Sequence, residues 1–186
     1  MLACYFIYMS AHFADPRENV LALGLRDGMK VGEFGAGSGH YAIAAAAAVG
    51  HDGRVYAVDI QEDVLAHLRD SAHRAGRRNI DTIWGDVEKP GGTKLRDGIL
   101  DAAVLSNTLF QLAHPTAAVA EIKRVLKPGG RLLVIDWAGA YGGLGPDPRH
   151  VVPEHKAEEL FISGGFHKAK SLRAGPHHYG ILFTAP

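Results

Sequence analysis

The sequence carries a single cysteine, Cys4. One thiol allows no disulfide within the chain and no cysteine-built zinc site. A reducing cytoplasm fits that usage, so the expected localisation is cytoplasmic. Charge of one sign is also missing, since 20 Lys and Arg face 20 Asp and Glu. No global field therefore draws the chain to nucleic acid or an acidic membrane surface, and no nucleic-acid partner is expected. Arg74, Arg77 and Arg78 form one small basic cluster, read as a solvated helix end. No apolar run reaches the roughly 18 residues of a membrane span. The start, Met1 to Met9, is apolar but lacks a basic leading segment and a small-residue cleavage site. It reads poorly as a signal peptide. Residues 1–14 are expected to be a loosely ordered extension, with the start of translation open between Met1 and Met9. No repeats or low-complexity tracts occur apart from the run Ala44 to Ala48.

What is present is enough apolar material for a core, 47% of 186 residues. That length suits one domain spanning 1–186. Strand-like and helix-like segments alternate. The fold class expected is therefore α/β, a mostly parallel sheet with helices on both faces. Asp15-Pro16-Arg17-Glu18 has the form of an N-cap, a proline at N1 and an acidic first turn, and predicts a helix to about Leu23. Strands are predicted at Lys30–Phe34, Arg54–Val58, Ile80–Trp84, Leu100–Leu105 and Arg131–Trp137. Helices are predicted at Ser38–Val49, Gln61–Ala75, Pro115–Leu126 and Glu154–Ser163. Ala138–Val152, rich in Gly and Pro, reads as a long irregular loop of the kind often used as a lid. Phe166–Leu172 and Tyr179–Thr184 read as an antiparallel hairpin at one sheet edge.

The most informative segment is Gly32-Glu33-Phe34-Gly35-Ala36-Gly37-Ser38-Gly39-His40, where a strand ends and a helix begins. Glycines at such a junction let the backbone turn sharply and let a ligand approach the main chain. The spacing is G-x-G-x-G. The third glycine of a dinucleotide loop is missing, because His40 stands there. Glu33 places an acid just before the turn, which would repel a pyrophosphate but not a ligand carrying an amino group and a sulfonium. Asp59 closes the second strand, where an acid can bond ribose hydroxyls. Asp86 follows the third, where an acid can accept from an adenine amino group.

These residues resemble the class I, Rossmann-like, S-adenosylmethionine-dependent methyltransferases over roughly Gly28 to Trp137. Gly32 to Gly39 is similar to that family's first motif. Lys127-Pro128-Gly129-Gly130 is similar to its turn before the fifth strand, and Gly164-Gly165-Phe166 to its lead into the sixth and seventh. The resemblance implies a three-layer sandwich with a seven-stranded sheet, the last strand antiparallel. It implies S-adenosylmethionine as cofactor. Gly35, Ala36, Gly37 and Gly39 would cradle its methionine part, with Glu33 near the amino group. Asp59 would hold the ribose, Ile60 would pack on the adenine, Asp86 and Val87 would bracket the base, and Ser106 would line the floor.

Methyl transfer from a sulfonium is an in-line displacement with a good leaving group. Proximity and orientation can supply most of the catalysis, and a base is needed only where the acceptor loses a proton. The segment after the fourth strand, Ser106 to His114, is expected to face the methyl group. It lacks the Asn/Asp-Pro-Pro-aromatic pattern of several amino-methylating relatives. A small-molecule acceptor is the expectation. No catalytic residue is assigned. Asn107, His114, His177 and His178 are weak candidates, Gln111 a polar contact, and Trp137 and Tyr141 stacking groups with packing the stronger reading. No metal site is expected, since the histidines have no acid or Cys at ligand spacing. Homodimerisation is expected, because there is little sequence to build a lid. The alternatives carried are an RNA or protein methyltransferase of the same fold and a noncatalytic cofactor-binding subunit. An NAD-dependent oxidoreductase fails on the loop spacing, and arsenite methylation on the single thiol.

Overall fold

A computed structural model describes residues 14–141 and 145–186. The expectations about Cys4, Met9 and most of the N-terminal extension lie outside the described residues, as do residues 142–144 of the Gly- and Pro-rich loop. Among the described residues five α-helices and seven strands follow in order. They are α1 (Pro16–Leu21), β1 (Lys30–Phe34), α2 (His40–Ala48), β2 (Arg54–Asp59), α3 (Glu62–Arg74), β3 (Ile80–Trp84), β4 (Leu100–Ser106), α4 (Pro115–Val125), β5 (Leu126–Trp137), α5 (Glu154–Ser163), β6 (His167–Arg173) and β7 (His178–Thr184). A single 3-10 turn, Leu109–Gln111, follows β4. The strand order is β3-β2-β1-β4-β5-β7-β6. All neighbours pair in parallel except β7, which is antiparallel to both β5 and β6.

Alternation along the central strands feeds two cores. Phe34, Val58, Leu132 and Val134 face α4 and α5, with Ile122 and Phe161. Val31, Val55, Ala57, Leu133 and Ile135 face the other layer, with Leu68 and Ala72 of α3. The period-2 side-chain direction of a strand produces this division. Helix α2 is apolar on most sides because it is covered twice, by the sheet beneath and by α1 above. Its Ala42, Ala45 and Ala46 are almost fully buried. The Asn19 amide on α1 donates to the Tyr41 hydroxyl (2.9 Å) and to the Ala174 carbonyl (3.0 Å), tying α1 to α2 and to the β6–β7 turn.

The predicted elements are present with shifted ends. Helix α2 begins at His40 rather than Ser38, because Gly39 occupies the N-cap in a left-handed conformation at φ +78°. The Lys127-Pro128-Gly129-Gly130 turn does not precede the fifth strand but lies inside it. Leu126 already pairs with Leu100, the register then jumps to Arg131 opposite Ala102, and the turn stands out as a bulge. Gly129, at φ +73°, permits the bend. Ala185 fixes it, accepting from the Gly129 N–H (3.1 Å) and donating to Gly130 (2.8 Å).

Candidate functional site

Adjacent β1 and β4 lead to helices on opposite faces, so the chain splays apart at their carboxyl ends. In such sheets that switch point is where ligands bind. A cleft of about 1460 Å³ opens there. It is larger than a typical single-ligand pocket, because it joins the crevice above β1 to a groove between α1 and α2.

The glycine turn forms its centre. Gly35, Gly37 and Gly39 all have positive φ, at +67°, +50° and +78°. Their surroundings separate them. A Cβ on Gly35 would lie 2.3 Å from Thr108 Oγ1, and one on Gly39 would lie 2.4 Å from Leu68 Cγ. Those two glycines are required by packing. A Cβ on Gly37 would meet nothing nearer than the Gly35 carbonyl at 4.0 Å. Gly37 borders the open cleft and leaves its main chain accessible to a ligand.

Asp59, at the end of β2, holds this turn in place. One carboxylate oxygen accepts from the Gly37 N–H (2.9 Å) and the other from the Gln61 N–H (2.9 Å). Each ionised oxygen keeps a further lone pair, directed to a cleft that Asp59 lines while only 8% exposed. Glu33 lies deeper, with Oε2 accepting from the Ala42 N–H at the start of α2 (2.7 Å). Burial pushes its pKa up to about 8, with the nearby Asp59 carboxylate adding to the effect and the Ala42 and Tyr41 N–H groups opposing it. Glu33 thus favours its protonated form at neutral pH. A protonated Glu33 would not supply the repulsion of a pyrophosphate that the sequence assigns to it.

Asp86 and Val87 reach the cleft after β3. The Asp86 oxygens are engaged by the Glu88 N–H (2.9 Å) and the Lys89 ammonium (3.1 Å). The loop carrying them is held from α4. Buried Glu121 accepts from Gly91 N–H (2.9 Å), from Thr93 N–H (3.2 Å) and hydroxyl (2.6 Å), and from Arg124. Ile60 lines the same end, 62% exposed.

At the other end stand Ser106, Asn107, Thr108 and Gln111. Two residues that place them are not evident in the sequence reading. Thr108 packs on Gly35 and its hydroxyl donates to the Ser106 carbonyl (3.0 Å). Asp136, fully buried, accepts from the Leu109 N–H (2.9 Å) and the Trp137 N–H (2.8 Å) and so caps the 3-10 turn. Burial pushes its pKa up to about 6 against these bonds. The signal was an acid inside the apolar run Leu132 to Trp137. Of the histidine candidates, His178 lines the cleft. His114 and His177 are not among the lining residues. His114 occupies the N-cap of α4 without a side-chain cap bond, and His177 stacks on Tyr141 (4.2 Å). Trp137 stacks on His178 (4.4 Å).

The family model for the methyltransferase domain matches residues 32–134, from the glycine turn through β5. The chain belongs to this family, the class I S-adenosylmethionine-dependent methyltransferases. A crystal structure titled a SAM-dependent methyltransferase from Aquifex aeolicus superposes on this methyltransferase with a TM-score of 0.85 and 27% identity, covering 94% of this chain and 91% of that one. The [4+2]-cyclase SpnF shares the fold, with a TM-score of 0.78 and 18% identity over 92% of this chain and 79% of its own. The ubiquinone/menaquinone biosynthesis C-methyltransferase UbiE of Pseudomonas putida is 33% identical over 116 residues, 62% of this chain and 44% of the relative. UbiE of Bordetella parapertussis is 36% identical over 123 residues, 66% of this chain and 46% of the relative. The matched part thus spans less than half the length of these curated relatives. The family's cofactor, S-adenosylmethionine, fits the cleft on two local features: an open main-chain cradle at Gly37 and spare lone pairs on Asp59. No helix of the described residues is long and apolar enough to cross a membrane.

Proposed function

We propose that this methyltransferase transfers the methyl group of S-adenosylmethionine to a small-molecule acceptor. The carrying observation is that the cleft continues beyond the glycine turn, past Ser106 and Asn107 to His178. It leaves room for a second, smaller ligand at the end of the crevice. The names of the UbiE relatives, which concern C-methylation in quinone biosynthesis, support a small acceptor. The neutral balance of charge gives no support to an RNA acceptor.

When bound, the cofactor supplies a methyl group on a sulfonium, already activated for displacement. The residues of this chain then hold and orient. Gly35, Ala36 and Gly37 offer main chain to the methionine part, with Gly39 turning the chain into α2. Asp59 accepts from the ribose hydroxyls with its remaining lone pairs. Ile60 covers the adenine, and Val87 with the Asp86 turn brackets it. Glu33 sits beneath the site for the amino group, where its carboxylate, with the proton released to solvent, would meet that charge. Asp136 fixes the loop of Asn107 against the crevice through Leu109. Orientation of this kind is the main contribution required for in-line displacement.

The test incubates the protein with methyl-labelled S-adenosylmethionine and a metabolite extract, with total RNA in a parallel arm. Label in a small molecule is the expected outcome. Label confined to RNA contradicts the proposal.

A further inference from the structure

The far wall of the cleft carries buried polar groups that no described residue satisfies. Among the described residues, Asn107 Oδ1 and both ring nitrogens of His178 lack hydrogen-bond partners. An unsatisfied buried group costs about 1–3 kcal/mol. Carried by two residues that line one cleft, they mark a surface that a ligand completes.

Their placement follows from the topology. Because β7 runs antiparallel to β5, its first residue rather than its last lies at the carboxyl edge of the sheet. The pairing sets His178 opposite Trp137, while Ser106 pairs with Ile135 on the other side of β5. His178 is therefore two strand spacings from Ser106, about 10 Å across the strands, and two residues, about 7 Å, further along them. It is 4% exposed and lies against the Trp137 ring. Asn107 is held in a left-handed conformation at φ +53°. Its N–H donates to Ile135 O (2.9 Å) and its carbonyl accepts from the Gln111 side chain (2.8 Å). A backbone constrained in this way is over-determined by its surroundings.

Among the described residues, this end of the cleft presents no free charge beside Asn107 and His178. The Asp136 oxygens are taken by main-chain N–H groups. Glu33 and Asp59 belong to the glycine turn. Burial, reinforced by the neighbouring His177, pushes the His178 pKa down to about 4, so its ring is neutral at physiological pH. A neutral imidazole offers one donor and one acceptor. A cationic amine would find no counter-charge on this wall and would lose its hydration there.

We infer that His178 and Asn107 together select an uncharged acceptor bearing a hydroxyl group, with Asn107 Oδ1 accepting the O–H and the His178 ring bonding a second oxygen. The inference rests on the methyl-transfer reading above and gives His178 a role in specificity.

The test takes the acceptor identified with labelled donor and measures its KM with the wild type, His178→Gln and His178→Leu. Cofactor affinity of each variant, read by calorimetry, reports whether the cleft is intact. The expected acceptor is uncharged and hydroxylated. Its KM rises by about tenfold or more in His178→Leu and by less in His178→Gln, while cofactor affinity stays within about twofold of wild type. In the unsubstituted protein, saturating acceptor shifts the 15N resonances of the His178 ring, a readout independent of how the variants fold. Label in a charged amine overturns the inference. So does a hydroxylated acceptor whose KM and His178 resonances are indifferent to that side chain, an outcome that leaves methyl transfer standing. Cofactor binding with no label in any fraction removes both readings.

Discussion

Gly37 and Gly39 are two residues apart, share a positive φ, and should respond to the same substitution in opposite ways. An alanine at either position adopts a left-handed conformation, at a cost of about 1–2 kcal/mol. At Gly37 that is the whole structural cost, because the new methyl meets no protein atom closer than 4.0 Å. At Gly39 the methyl would sit 2.4 Å from Leu68 Cγ, 2.8 Å from Cδ1 and 3.2 Å from Cδ2. Leu68 is fully buried between α3 and the sheet, so relief requires repacking at about 1–3 kcal/mol more. For a chain of this size each kcal/mol lowers Tm by roughly 2–4 °C. Gly37→Ala should therefore melt a few degrees low, and Gly39→Ala about twice as far below wild type. Cofactor binding should invert the order of damage at Gly37. There the methyl projects into the cradle, and calorimetry with S-adenosylmethionine should show affinity reduced by about tenfold or more, beyond what the small loss of stability explains. Differential scanning calorimetry and titration calorimetry on the same samples settle the matter. A Gly37→Ala protein that binds S-adenosylmethionine as tightly as wild type would refute the assignment of that main chain to the ligand.

Further outcomes follow from the buried acids. Glu33 has its folded pKa raised from 4.5 to about 8, so it favours the folded state fully below pH 4.5. That contribution, on the order of 5 kcal/mol, is lost as pH rises to about 8. Glu33→Gln should flatten the fall in denaturant-measured stability between those limits. It should also abolish the rise in S-adenosylmethionine affinity with pH that proton release from Glu33 produces. Glu121 has the opposite sign. Its pKa is lowered to about 2 by Arg124, Thr93 and main-chain N–H groups despite its burial. Its contribution holds above pH 4.5 and is lost as pH falls toward 2. Glu121→Ala should destabilise the fold by about 3 kcal/mol, since it removes the acceptor of the Gly91 and Thr93 N–H groups and the nearest carboxylate of Arg124, as denaturant titration would register. Asp59→Ala should weaken S-adenosylmethionine binding by roughly 1–3 kcal/mol, and unchanged affinity by calorimetry would remove Asp59 as the ribose anchor.

Most of the fold could be read from the sequence because its signals are local. Asp15-Pro16 caps α1, with Asp15 Oδ1 accepting from the Arg17 N–H (2.9 Å), and the alternating apolar residues of β1, β2 and β5 divide between the two cores as the pattern requires. The glycine spacing and Asp59 were equally legible, since a turn and a strand end are short-range features. The rest depends on contacts between residues far apart in the chain. Asp136 reads as one polar residue in an apolar strand until β5 sets it beside Leu109. Thr108 has no sequence signal for its contact with Gly35, 73 positions away by number. His177 and His178 are adjacent in sequence, yet the strand alternation sends only His178 to the cleft. The protonation of Glu33 likewise follows from its depth beneath α2, which composition does not report.

The central claim is that the nucleoside rests on the turn at Gly35 to Gly39 with Asp59 at its ribose. A crystal structure of the complex with S-adenosylhomocysteine tests it most directly. The account predicts ribose oxygens within hydrogen-bond distance of both Asp59 carboxylate oxygens and the homocysteine part lying along the main chain at Gly37. A nucleoside bound elsewhere, with side chains filling that crevice, would contradict it.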